Sequence, residues 1–410
     1  MVPKGWKRVP IKVVCESIID CVNKTAPVVD YETPFKMIRT TNVRNGRVNT
    51  EDVRYVTEDT YLQWVRRGKP QVGDIIFTRE APVGEAGVLQ DAEGIFLGQR
   101  TMMYRADTCL SDNYFLFYSL SSPFCQKQIE DFSNGGTVAH MRVPDCGEIL
   151  INLPPFLEQK KIAQILSTWD KAISVTEKLL TNSQQQKKAL MQQLLTGKKR
   201  LLDENGVRFS GEWEVVRLKQ LIHEEKKRNR DNHIQRVLSV TNHSGFVLPE
   251  EQFSKRVASE DVSTYKIVKK NQYGYNPSRL NVGSFARLDN YDEGVLSPMY
   301  VVFSINHERL NSDYFLNWMS SNEAKQRIAG STQGSVRDSV GFDALCSFSF
   351  SLPTLMEQQK IAAVLSAADA EMSMLEKKLA CLKEEKKALM QQLLTGKRRV
   401  KVESEETVSA

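Results

Sequence analysis

The chain has 410 residues, 41% of them apolar and 26% charged, with a formal net charge of +6. That length holds about two to four structural units with proper cores. No 18-residue uncharged apolar run offers a transmembrane helix, and the polar start MVPKGWKRVP has no apolar segment of a secretory leader. Seven dispersed cysteines without a CxxC spacing argue against a disulfide framework or a zinc site, so the expected location is a reducing cytoplasm. The positive balance permits a nucleic-acid partner without requiring one.

Residues 1–152 read as a globular part of mixed structure. The glycine-bounded runs GDIIFT (Gly73–Thr78) and GEILINL (Gly147–Leu153) predict strands. DNYFLFYSLSSPFCQKQIEDF (Asp112–Phe132) predicts one amphipathic helix. Over 153–199, Pro154 at the front and Gly197 at the back, followed by basic residues, frame a long helix. A linker (200–210) leads to a second globular part (211–351). A second long helix (352–399), framed by Pro353 and Gly396, precedes a flexible acidic tail (400–410).

The two halves repeat. KKALMQQLLTGK stands at Lys187–Lys198 and again at Lys386–Lys397, an offset of 199. Upstream the match continues without a gap, and 27 of 48 positions agree between 153–200 and 352–399. Weaker echoes link the globular parts: GWKRVPI (Gly5–Ile11) with EWEVVRL (Glu212–Leu218), TTNVRNGRV (Thr40–Val48) with VTNHSGFV (Val240–Val247), and DNYFL (Asp112–Leu116) with SDYFL (Ser312–Leu316). The frame is shared while its contents differ.

Each long helix carries a 4-3-4-3 seam. It runs Ile162, Leu166, Trp169, Ile173, Thr176, Leu180, Ser183, Lys187, Leu190, Leu194 in the first copy. In the second it runs Ile361, Leu365, Ala368, Met372, Leu375, Leu379, Leu382, Lys386, Leu389, Leu393. This period predicts a left-handed coiled coil, in which the polar seam positions weaken packing and fix register. Each helix is about 60 Å long. A globular part with a radius of gyration of about 15 Å does not easily return the chain over that distance, so an antiparallel intramolecular pair is expected. The fold class is then α/β (α+β): two tandem globular domains, each followed by a long helix, with the helices paired around a pseudo-two-fold axis.

Candidate catalytic motifs fail on chemistry. LPPF (Leu153–Phe156) has no side-chain acceptor in the first position of an amino-methyltransferase motif. Pro144–Asp145 followed by Glu158–Lys160 fits a loose nuclease pattern, but the repeat reads Glu357–Gln359 without an upstream partner, and Glu158 serves better as a helix-dipole carboxylate. TGKKR (Thr196–Arg200) lacks the rest of a phosphate loop and reads as a helix stop, and the five histidines show no metal spacing. The chain reads as non-catalytic and metal-free.

Polar and basic loops recur at matching places. They supply the side chains that contact phosphates and base edges. Arg39, Thr41, Asn42, Arg44 and Arg47 lie in one loop, and Thr137, His140 and Arg142 in another. In the second half Thr241, Asn242 and His243, then Arg279 and Asn281, then Gln333, Ser335 and Arg337 take similar places, with Lys227, Arg228 and Arg230 in a denser basic run. A coiled-coil scaffold that assembles partner proteins without reading bases is the alternative.

The LPPxxEQxxIA pattern at Leu153–Ala163 and its copy LPTLMEQQKIA at Leu352–Ala362, the LMQQLLTGK helix ends, GDIIFTREAPVG (Gly73–Gly84) and GTVAHM (Gly136–Met141) resemble the specificity subunit of type I restriction–modification enzymes. Arg79, within that Gly73–Gly84 stretch, joins the candidates. The second half departs at Arg279–Ser284, where RLNVGS replaces the REAPVGE loop. The resemblance implies two target recognition domains, each reading half of a bipartite double-stranded DNA site. The paired helices would act as spacer and dock for two modification subunits. No cofactor would sit in this chain: S-adenosylmethionine for adenine methylation would belong to the modification partner, ATP and Mg to the restriction subunits.

Overall fold

The computed structural model describes residues 2–133, 139–249, 261–332 and 339–402. Two compact units emerge, and their content crosses the boundaries expected from the sequence. The first is built on residues up to Glu177 and from Lys377 onward, the second on Lys178–Glu376. Both cuts fall inside the long helices Phe156–Leu194 and Leu355–Leu393. Each globular part therefore shares a unit with the start of its own helix and the end of the other copy's.

In the first unit, four antiparallel strands lie in the order Cys15–Asp20, Thr101–Ala106, Ile75–Arg79, Val83–Val88. The second unit has the same order with Ile222–Glu224, Val301–Ile305, Tyr273–Tyr275 and Phe285–Arg287. Ile75–Arg79 is buried at every residue, as an inner strand covered on both faces should be. A separate antiparallel pair closes each globular part: Lys7–Pro10 with Leu150–Leu153, and Glu214–Arg217 with Ser349–Leu352. The chain thus enters and leaves each part at one place, just before its long helix. Among the named strands of the described residues only Lys36–Ile38 and Ile95–Leu97 pair in parallel, which puts the mixed class on its α+β side.

Two local expectations are corrected. Asp112–Phe132 is not one helix but two, Asn113–Leu120 and Pro123–Ser133. Proline at 123 has no N–H to continue the first helix, and the Ser122 hydroxyl accepts from Cys125 N (3.3 Å) to start the second. The echo of DNYFL in SDYFL is one residue out of register. Asp112 caps its helix through Phe115 N (2.9 Å), and Asn311, not Ser312, caps the equivalent helix through Tyr314 N (2.9 Å).

The helix starts explain the repeated Glu-Gln. Gln159 accepts from Asp112 N (3.1 Å) and donates to the carbonyls of Leu110 (3.1 Å) and Pro154 (2.9 Å). Gln358 repeats this with Asn311 N, Arg309 O and Pro353 O. Each glutamine stitches a long helix to its globular part. The neighbouring carboxylates do more than favour the helix dipole. Glu158, 3% exposed, receives Trp6 Nε1 (3.1 Å) and a two-pronged contact from Arg399, Nε at 2.6 Å and Nη2 at 2.8 Å. Glu357, 1% exposed, receives Trp213 Nε1 (3.0 Å) and Arg200 Nε (2.5 Å) and Nη2 (2.7 Å). In both units the arginine comes from the far end of the other repeat.

Farther along, Lys386 pairs with Asp170 (2.6 Å) and Lys383 with Glu177 (3.0 Å) in the first unit. As one helix ascends from 158 to 177 its partner descends from 399 to 383, so the pair is antiparallel. The second unit repeats the contact with Lys187 on Asp369 (2.5 Å). Ile162, Leu166 and Leu393 are buried in the first core with Phe115 and Ile151. Ile361, Leu365 and Leu194 are buried in the second with Phe315 and Phe350. Ile173, Thr176 and Ser183 are buried, whereas Trp169, Leu180, Leu190, Met372, Leu375, Leu379, Leu382 and Leu389 are half-buried on their helices.

Both helices end in left-handed glycines: Gly197 and Gly396 each have φ +69, and Lys199 N and Arg398 N reach back to the carbonyls of Gln193 and Gln392. A side chain at 396 would also meet the Pro3 ring at 2.3 Å. Arg399→Ala would leave Glu158 as a buried, uncompensated carboxylate. Equilibrium urea unfolding should show a loss of about 3 kcal/mol, and Arg399→Lys should recover only part of it, because an ammonium cannot make the two-pronged contact.

Candidate nucleic-acid interface

Loops far apart in the first half of the sequence meet in the first unit. Thr40–Asn42 forms a 3-10 turn that leads into a two-residue hairpin, Val43–Arg44 against Arg47–Val48. Asn45 (φ 52) and Gly46 (φ 77) make its turn, the pairing expected of an Asn-Gly hairpin. The hairpin lies on the strand Val83–Val88: Asn45 N donates to Glu85 Oε2 (2.9 Å), and a Cβ on Gly87 would meet Arg47 backbone carbon at 2.8 Å. The loop after Arg79 reaches the third segment through the Glu80–His140 bridge and Met141 N to Arg79 O (3.0 Å).

The second unit assembles the same three places. The hairpin Ser239–Thr241 and Gly245–Val247 turns through Asn242, His243 and Ser244. Beside it lies the 3-10 helix Pro277–Val282, capped by Asn276 Oδ1 on Ser278 N (3.0 Å). Ser284 Oγ donates to Val240 O (2.9 Å), and a Cβ on Gly283 would sit 3.5 Å from that of Asn242. Val340 N closes onto Pro277 O (3.0 Å). The frame is common, but its side chains are not: Arg279 and Asn281 are exposed where the first unit has Glu80 and a proline-containing turn.

The candidates divide by what holds them. Thr41, Arg47, His140, Arg142, Lys227, Arg228, Arg230, Asn242, His243, Arg279 and Asn281 are exposed, and Thr241 is half-buried. Among the described residues Arg279 makes no ion pair, whereas Arg142 engages Asp145 (2.7 Å), Arg47 engages Glu177 (3.1 Å) and His140 lies 3.4 Å from Glu80. Arg44 is folded onto the carbonyls of Thr40 and Val43. Two candidates are corrected outright. Arg79 is 6% exposed and binds Asp20 (2.8 Å) and Met141 O (3.2 Å), which fixes the loop instead of presenting a guanidinium. Asn42 is 3% exposed and spends its amide on Arg39 N, Asn49 O and Asp52 O. Arg39 is half-buried, its Nε without a hydrogen-bond partner among the described residues. Thr137, Gln333, Ser335 and Arg337 lie outside the described residues.

Among the described residues no group of three or more His, Cys, Asp or Glu side chains could hold a metal ion, and no helix is long and apolar enough to cross a membrane. The nuclease-like carboxylates are occupied separately, Asp145 by Arg142 and Glu158 by Arg399 and Trp6. Burial pushes the Cys15, Cys125 and Cys146 thiols up to about 12, far from a reactive range.

Two tandem domains with matched loop frames, each packed with its own share of the long helices, define a duplicated α+β module. Residues 3–182 and 210–384 match the family model of the type I restriction modification DNA specificity domain, and the chain belongs to that family. The curated MjaVIII specificity subunit of Methanocaldococcus jannaschii is 25% identical over 358 residues, which are 80% of this chain and 82% of the relative. In fold the chain is similar to the type I restriction–modification S subunit from M. genitalium, with a TM-score of 0.61 and 13% identity over 96% of each chain. It is also similar to a chain from a structure of type I system complex assembly, with a TM-score of 0.52 and 15% identity over 97% of this chain and 100% of the other.

Sequence reasoning missed the tryptophan and arginine partners of the helix-start glutamates. Their signal was present: Trp6 and Trp213 open the two globular parts, and Arg200 and Arg399 follow both helix stops. Arg79→Gln should lower the melting temperature, since it takes the ion pair from half-buried Asp20 and leaves only the longer contact with Arg67 (3.8 Å), while Arg279→Gln should leave it within a degree or so, as for ordinary exposed substitutions. Differential scanning calorimetry of the two variants checks the division between scaffold and exposed candidate.

Proposed function

We propose that this chain is the DNA-reading subunit of a type I restriction–modification complex. Each globular part reads one half of a bipartite, asymmetric site in double-stranded DNA, and the helix pair sets the spacing between the halves. Two modification subunits dock on the chain and bring S-adenosylmethionine for adenine methylation. Restriction subunits, with ATP and Mg, join through the complex, and this chain performs neither reaction. The observation that carries the reading is one three-loop frame built twice with different exposed side chains, Arg142 and His140 in one unit and Arg279, Asn281 and Asn242 in the other. Identical frames with unlike contents suit two different half-sites on one ruler. Bidentate contacts from such side chains discriminate bases by about 1–3 kcal/mol each.

Replacing residues 211–351 by another family member's domain should change one half of the methylated sequence and leave the other half alone. Methylome sequencing of cells carrying the hybrid with its partners reads this directly, and a change in both halves would count against separate reading. Deleting Gln184–Lys187 removes about 6 Å of helical rise. The distance between methylated half-sites should change, and an unchanged spacer would refute the ruler.

A further inference from the structure

The second unit carries a basic edge that brings the run at 226–230 together with Lys266 from a distant stretch of sequence. After the strand Ile222–Glu224 the chain stays extended. Ile267 N donates to Lys227 O (2.9 Å) and Asn229 N to Tyr265 O (3.0 Å), which sets Arg228 directly across from Lys266 in an antiparallel bridge. Opposed residues of such a bridge project from the same face, and like charges placed there repel. Lys226, two residues before Arg228, shares that face at about 7 Å. Glu224 is the described carboxylate in contact, with Lys226 at 3.0 Å. Lys227, Arg230 and Lys269 flank the strip, exposed and without an ion pair among the described residues.

Lys266 is held in this position. Its Nζ donates to Tyr300 O (2.7 Å). Burial, and then the charges of Arg228 and Lys226, lower its pKa against the pull of Glu224. A cation kept half-buried against two others is a local conflict of the kind retained at functional sites. The first unit differs at the matching place in sequence: after Cys15–Asp20 its chain reads CVNKTAPVVDYE, with a single lysine.

We propose that this edge is a phosphate-binding ledge that grips the DNA backbone beside the reading loops of the second unit and supplies affinity without base choice. The proposal rests on the DNA-reading function above. A strip of cations along two strands suits a polyanion; a free phosphate would need donors converging on one point. The ledge is also joined to the reading loops. Lys266 holds Tyr300 O, and the adjacent Met299 touches Asn276, the residue that caps the Pro277–Val282 turn bearing Arg279.

The test uses the full chain assembled with its modification subunits. Affinity for a duplex containing the methylated sequence and for a random duplex is measured across a KCl series, for wild type and for Lys226→Gln/Arg228→Gln/Lys266→Gln. Each phosphate contact contributes about 0.9 to the slope of log K against log salt, so the triple variant should lose about 2 to 3 in slope on both duplexes. The ratio between the duplexes should hold within about twofold. A wild-type slope in the variant, or a collapse of the ratio, overturns the ledge. A wild-type complex with no preference for its methylated sequence overturns the underlying DNA-reading function instead. Arg228→Gln alone relieves the opposed pair and should melt no lower than wild type; a lower melting temperature would make the pair structural and sink the proposal.

Discussion

Two buried carboxylates organise this molecule. Glu158 and Glu357 sit at the first turns of the long helices, where the positive end of the helix dipole helps to hold a negative charge. Neither could remain there without a cation, because a desolvated carboxylate left unpaired costs several kcal/mol. The cation in each case is an arginine just past the stop of the other helix. The same carboxylate takes the indole N–H of the tryptophan that opens its globular part. One group thus ties three pieces of chain: domain entrance, helix start and the opposite helix end. The glutamine beside it ties a fourth, the capped helix at Asp112 or Asn311.

From this constraint the rest follows in order. The arginines can reach only if the helices run antiparallel, and the lysine–aspartate pairs farther along keep that direction. Antiparallel helices require each globular part to begin and end at one place, which the closing strand pairs provide. With both ends of each part fixed by those pairs, the loops elsewhere are free to vary, and the three-loop frames carry different side chains. The clamp is constant and the loops are variable, so the residues that hold each unit together are separate from the exposed loop residues that differ.

Much of this architecture was legible in the sequence because it is periodic or repeated. The heptad spacing, the offset of 199 and the glycine stops belong to local chain geometry and show without a partner. What could not be read depends on contacts between distant residues. Arg79 and Asn42 have the composition of binding residues, but Asp20 and the carbonyls of Asn49 and Asp52 turn them inward. Asp112–Phe132 is amphipathic enough to suggest one helix, and only the packing around Ser122 and Pro123 divides it. The Arg228–Lys266 opposition was invisible because its strands are separated by the hairpin at 239–247 and the residues that follow it.

The cross-supplied arginines also impose an order on synthesis. The second unit is continuous in sequence and holds its own clamp partner at Arg200, so it has all its parts once Glu376 has left the ribosome. The first unit, although made earlier, waits for Arg399 and for the helix segment that begins at Lys377. Until then Glu158 and the apolar flank of the first long helix remain uncovered on the nascent chain. The amino-terminal unit is therefore the last to be completed, and a chain broken off after Glu376 holds all of the second unit but only part of the first.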